Sequence, residues 1–111
     1  MIYAVPITET EGKMQLCLQF ARSPFFAIVD RQKNNFKTIS NPFAEDKKGV
    51  GKKIIHLLKN NYNTNTLVGF ELGLKVLEMS KELKLNVIII NEKFLTLNDL
   101  FKKMTINPNK I

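Results

Sequence analysis

The chain has 111 residues, 44% of them apolar, enough for one core and few for two domains. No run approaches the roughly 20 apolar residues of a membrane span, and the start MIYAVPITETEG lacks a basic flank ahead of an apolar block, so a soluble, cytoplasmic protein with no membrane partner is expected. The lone Cys17 excludes an internal disulfide, two-cysteine redox motifs and cysteine-only metal sites, while 17 Lys and Arg against ten Asp and Glu give a net charge of +7 and raise the question of an anionic partner.

IYAVP at residues 2–6 reads as a strand closed by Pro6, with the polar TETEG after it as a loop. Ser23 precedes Pro24 and is pushed toward an extended conformation, and FFAIVD then has the density of a strand buried on both faces. RQKNN ends in paired asparagines, which tolerate positive φ, and FKTIS resumes an extended pattern before the breaker Asn41-Pro42, so a hairpin is predicted. From Val50, the residues Val50, Ile54, Leu57 and Leu58 recur at helical spacing, with Lys52, Lys53, His56 and Lys59 between them; His56 is expected on the exposed polar face. TLVGF reads as a fourth strand, LGLKVLEMSKEL as a helix sharing Leu74, Leu77 and Leu83 on one face, and NVIII as a fifth strand. Thr96 and Asp99 form a capping-box-like pair ahead of Leu97, Leu100, Phe101 and Met104, which predicts a third helix, with 105–111 as a C-terminal tail.

The order βββαβαβα predicts an α/β domain of three layers, a mixed sheet with helices on both faces. If the first strand pairs with the second on one side and the fourth on the other, it marks a topological switch point, where open α/β sheets bind ligands. That edge would gather residues 7–23, Asn41-Pro42, the helix start at Gly49-Val50-Gly51 and the GFELG turn at 69–73.

Candidate chemistry is sparse. Cys17 is a soft metal ligand when ionised and otherwise a small hydrophobe. Gln19 and Arg22 beside it offer donors to an anion, and Arg22 serves equally well as an anchor for its own loop. KKGVGKK surrounds a helix start with glycines and lysines, which favours anions but lacks the GxxxxGK[ST] pattern of a nucleotide phosphate loop. Glu71 lies between Gly69 and Gly73 with no second carboxylate in view, and no Ser/His/Asp set or metal-ligand spacing is visible, so a non-enzymatic role is expected.

IYAVP, QFARSPFFAIVD, NPFAEDKKGVG, LVGFELG and LNVI, in this order over about residues 2–104, together resemble the dinitrogenase iron-molybdenum cofactor biosynthesis family, which includes nitrogenase accessory factors of the NifX and NafY type and the C-terminal part of NifB. The resemblance implies a ribonuclease H-like fold with a five-stranded mixed sheet over 1–104, and a role in carrying or delivering metal-sulfur clusters such as iron-molybdenum cofactor or its precursor. Many members have histidine where this chain has Gln19, and glycine where it has Ala21. Cys17, two residues upstream, can substitute for that histidine as metal ligand if its side chain faces the same cleft, while Arg22, Gly49, Gly51, Gly69 and Gly73 carry over as cleft-forming positions.

The sequence thus points to a small protein binding an anionic metal-sulfur cluster at the switch-point cleft, with Cys17 and Arg22 as first contacts, Gln19 and Glu71 beside them, and a cluster donor or acceptor protein as partner. A second reading is a degenerate member acting as an interaction or regulatory domain without metal. A third is nucleic-acid binding through the basic surface, against which the aromatic residues read as core strands rather than a stacking platform. A monomer or weak homodimer is expected.

Overall fold

Alternation along the first strand, β1 (Ile2–Thr10), decides the architecture, seen in a computed structural model that describes residues 1–92 and 95–111. Tyr3, Val5 and Ile7 enter one core and Ala4 the other, because successive side chains leave opposite faces of a strand. In β3 (Phe25–Asp30), Ala27 and Val29 join the first core and Phe26 and Ile28 the second. A strand apolar on both sides needs cover on both sides. The helices α1 (Val50–Tyr62) and α2 (Leu74–Glu82) supply one cover through Ile54, Ile55, Leu58 and Val76, and α3 (Leu97–Lys103) the other through Leu97, Leu100 and Phe101. The three layers expected from the sequence are present. No helix among the described residues is long and apolar enough to cross a membrane.

Among the described residues the sheet has seven strands, two more than the five expected. Besides β1 and β3 these are β2 (Lys13–Leu16), β4 (Asn35–Ser40), β5 (Thr66–Gly69), β6 (Asn86–Ile89) and β7 (Asn109–Lys110). Their order is β6, β5, β1, β3, β4, β7, with β2 paired to β1. β1 runs antiparallel to β3 and parallel to β5, which is the predicted switch in strand order.

β2 was hidden by the polar TETEG segment, of which Thr8–Thr10 are strand and only Glu11-Gly12 are turn. β1 continues through Thr10, and Thr10 pairs with Lys13 across a two-residue turn whose Glu11 and Gly12 have φ of 51° and 78°. Two positive φ values match the twist of a tight hairpin, but Glu seldom adopts them, so the turn leaves a weak trace in sequence. Pro6 does not close β1 either. Its carbonyl accepts from the Cys17 N–H at 2.9 Å, on the side away from β3, so its missing N–H costs the β1–β3 ladder nothing. The second unpredicted strand, β7, lies in the expected tail 105–111 and runs parallel to β4.

α2 also differs from its expectation. The phase is set by Leu72, buried just ahead of the helix, so Val76 and Ser80 face inward with Met79 and Leu83 partly covered. Leu74 is left 73% exposed and Leu77 38% exposed, where Leu74, Leu77 and Leu83 had been expected to share a core face. Ser80 is tolerated inside because its hydroxyl donates to the Leu77 carbonyl at 2.7 Å. α3 follows the prediction: Thr96 Oγ1 accepts from the Asp99 N–H at 3.0 Å, and Asp99 Oδ2 accepts from the Thr96 N–H at 3.2 Å.

Two outcomes test this packing. Phe26 is fully buried and meets Phe20 edge-on at 5.1 Å, so Phe26→Ala is expected to cost about 3–5 kcal/mol in urea unfolding. The Thr96 N–H bond, then the Thr96 hydroxyl, hold the Asp99 carboxyl below its ordinary 3.8. A depressed carboxyl stabilises the fold above its unfolded value and loses that contribution as pH falls through the folded one. Urea midpoints of Asp99→Asn should therefore fall less than those of the wild type as pH drops below 3.8, and parallel curves would show that the box contributes nothing.

Candidate functional site

The loop between β2 and β3 is held by a small polar knot. Ser23 is fully buried, and its hydroxyl lies 2.7 Å from the Phe25 carbonyl and 3.0 Å from that of Ile7. Asn41 donates its amide to the Ala21 and Ser23 carbonyls, both at 2.9 Å, and accepts from the Phe43 N–H at 3.0 Å. Buried polar groups persist only when partnered, and here the partners belong to two loops distant in sequence. Ser23-Pro24 and Asn41-Pro42, which read as simple breakers, are the points where those loops are tied together.

Arg22 extends the tie. Its Nη1 donates to the Ala44 carbonyl at 3.1 Å and the Asp46 carbonyl at 2.9 Å, so Arg22 takes the anchoring role, its Nη1 donors directed to the chain's own backbone. Asp46 in turn meets Lys53 Nζ at 2.7 Å. Together these contacts fix the segment that enters α1.

α1 begins at Gly49, in the left-handed region at φ 69°, and α2 at Gly73, with φ 85°. An L side chain is strained at such angles, so glycine decides where both helices start. Neither start has a side-chain cap hydrogen bond, and neither first turn holds an acidic residue. The two tips are neighbours: a β-carbon on Gly51 would lie 3.2 Å from Val76 Cγ2. Unpartnered N–H groups and aligned peptide dipoles make each helix start attractive to anions, and here two face one space.

That space is a cleft of about 830 Å³, lined at the helix starts by Arg22, Gly49, Gly51, Lys52, Gly73 and Lys75, and farther along by His56, Glu78 and Glu82. The three pieces expected to share a rim, namely the first loop, the α1 tip and the glycine bend, therefore do meet. Gln19 and Glu71 are brought together by backbone pairing, although both side chains are exposed and outside the lining. Gly69 is buried in the wall behind, where a β-carbon would press on Leu72 at 3.1 Å and Phe20 at 3.4 Å.

Cys17 is half-buried and does not line the cleft. β2 ends at Leu16, so the strand alternation that could have aimed residues 17 and 19 into one space stops before it reaches them. His56 differs in the opposite sense: expected on an exposed polar face, it is half-buried and lines the cleft nearly two turns beyond the α1 start. Its position, and that of Lys75, depends on α2 packing beside α1, which helical periodicity within one segment does not reveal. Among the described residues no group of three or more His, Cys, Asp or Glu side chains is placed to hold a metal ion.

Comparison with known proteins agrees with this architecture. The protein PH0822 is 18% identical over 98% of this chain and 96% of its own, with a TM-score of 0.72. A NifB-like protein of the DUF35 family from Thermotoga is 21% identical over 94% of this chain and 86% of its own, with a TM-score of 0.74. The apo form of the orange protein from Desulfovibrio gigas is 15% identical over 96% of this chain and 91% of its own, with a TM-score of 0.76. At these identities the likeness speaks for the shared fold. No curated protein matches the chain in sequence. The family model described as dinitrogenase iron-molybdenum cofactor matches residues 1–104, and on that match the chain belongs to this family.

Proposed function

We propose that the protein binds an anionic metal-sulfur cluster, of the iron-molybdenum cofactor or precursor type, in the cleft between the α1 and α2 starts, and carries it between a donor and an acceptor protein without catalysing a reaction. The observation that carries this reading is the convergence of two helix starts without side-chain caps on one cleft flanked by Lys52 and Lys75. Such donors suit a guest whose negative charge is spread over several sulfur or oxygen atoms, because each N–H contacts a different atom. A cleft of about 830 Å³ lies within the range of cofactor sites. Family membership and the apo description of the orange protein support the same reading. So does the pairing of antiparallel β1, β3 and β4 with parallel β5 and β6, which is the arrangement a ribonuclease H-like fold would have.

The cargo is held by backbone amides and lysine ammonium groups, and the Arg22 guanidinium shapes the wall through the loop it anchors. Among the side chains lining the cleft, His56 offers a ring nitrogen to a metal, and Glu78 and Glu82 offer carboxylates. Cys17 is not assigned a contact, since it lies outside the lining. The cytoplasmic setting expected from the sequence is part of the same proposal.

Anaerobic titration with tetrathiomolybdate, a small molybdenum-sulfur anion, tests the site. One equivalent should bind, more weakly as salt rises. Lys52→Glu/Lys75→Glu should lower the affinity by roughly tenfold or more, whereas Cys17→Ala should leave it within about twofold. Undiminished binding by the double variant would remove the cleft from the account, and a large loss with Cys17→Ala would restore the thiol as first contact.

A further inference from the structure

The cleft is basic at one end only. Lys52 and Lys75 stand at the helix starts, whereas Glu78 and Glu82 line the stretch farther along α2. With a helical rise of about 1.5 Å per residue, Glu78 lies about 6 Å and Glu82 about 12 Å beyond Leu74, where α2 begins. The sign of the charge therefore reverses along the groove within two to three turns of helix.

Among the described residues no ion pair compensates either carboxylate, for the two present join Asp46 to Lys53 and Glu92 to Lys103. Lys59, in the last turn of α1, points its ammonium at the Leu83 carbonyl instead, at 3.3 Å. Nor do three metal-ligating side chains among the described residues come together to neutralise the pair with a cation. The two glutamates also repel each other, because residues four apart share one helix face, and a glutamate followed there by lysine is the stabilising arrangement. Helix stability alone gives no reason for two carboxylates at these positions.

We infer that Glu78 and Glu82 make the cleft selective for compact anions, by confining negative charge to the helix starts and rejecting guests whose charge extends along the groove. The inference rests on the cluster-carrying reading of this cleft and names the class of cargo it admits. A tetrahedral thioanion or a small cluster seats its whole charge at the two starts. A linear polyphosphate, or a nucleic-acid strand with charge at every residue, has to lay one anionic group beside the carboxylates once another occupies the starts. Exposed charges act through salt water with a reach of about 8–10 Å, so a group beside Glu78 and Glu82 is opposed far more strongly than one at the tips. A groove of about 830 Å³ has room for an elongated guest, and its far wall restricts it to short ones. The nucleic-acid binding that a net charge of +7 suggests is opposed at this cleft for the same reason.

Anaerobic equilibrium dialysis of the full chain against tetrathiomolybdate and, separately, tripolyphosphate, in about 0.1 M salt, tests the inference. The wild type should bind tetrathiomolybdate the more tightly. Glu78→Gln/Glu82→Gln should tighten tripolyphosphate by roughly tenfold or more and tetrathiomolybdate by about threefold or less. Glu9→Gln/Glu11→Gln, which removes the same charge from the β1–β2 hairpin outside the cleft lining, should change either affinity by less than about twofold. Equal gains for the two anions, or no gain for tripolyphosphate, would overturn the inference. Weaker tetrathiomolybdate binding by Glu78→Gln/Glu82→Gln would overturn it too, since the carboxylates would then be holding the cargo's metal. A wild type that binds no tetrathiomolybdate, while the glutamine pair still gains tripolyphosphate, would count against the cargo reading and leave the carboxylates' effect standing.

Discussion

Gly51 has no side chain where α1 passes α2, and the site depends on that omission. A β-carbon there would sit 3.2 Å from Val76 Cγ2, so even alanine would require that contact to give by a few tenths of an ångström, and bulkier side chains would press on α2 harder. A single helix start holds about half a positive charge and is common on protein surfaces. Two starts sharing one space are less common, and both Gly49 and Gly73 are needed to begin the helices at the right place. The lysines at 52 and 75 add charge to a geometry that backbone has already set.

The knot of Ser23 and Asn41 serves the same end from the other side. By tying the Ala21–Ser23 carbonyls to the Asn41–Phe43 turn, it fixes where the chain can enter α1. Arg22 then carries the tie on to residues 44 and 46. The wall of the cleft is therefore built from groups that satisfy one another, while neither helix start has a side-chain cap among the described residues. Such pre-organisation lowers the cost of binding a guest, since little has to be ordered when it arrives.

Much of this was legible in the sequence. Periodicity located all three helices and the five longer or more apolar strands, and the order of elements predicted the switch between β3 and β5 around β1. β2 was missed because its hairpin turn places a glutamate at positive φ, and β7 because a two-residue strand has no period to detect. The site was legible as a meeting of segments, but less so as a set of side chains. Arg22 was read both as ligand and as anchor, and only the positions of the Ala44 and Asp46 carbonyls distinguish the two. His56 and Lys75 come to the cleft through the packing of one helix on another. The exposed leucines of α2 show the same limit: Leu74, Leu77 and Leu83 form a plausible face until Leu72 fixes the phase.

Backbone amide shifts, followed residue by residue during anaerobic titration with tetrathiomolybdate, test the central claim most directly. The account predicts that the largest changes fall together on Val50, Gly51 and Lys52 at one helix start and Leu74, Lys75 and Val76 at the other, saturating at one equivalent. Changes confined to the neighbourhood of Cys17, or spread evenly over the lysine-rich surface, would contradict it.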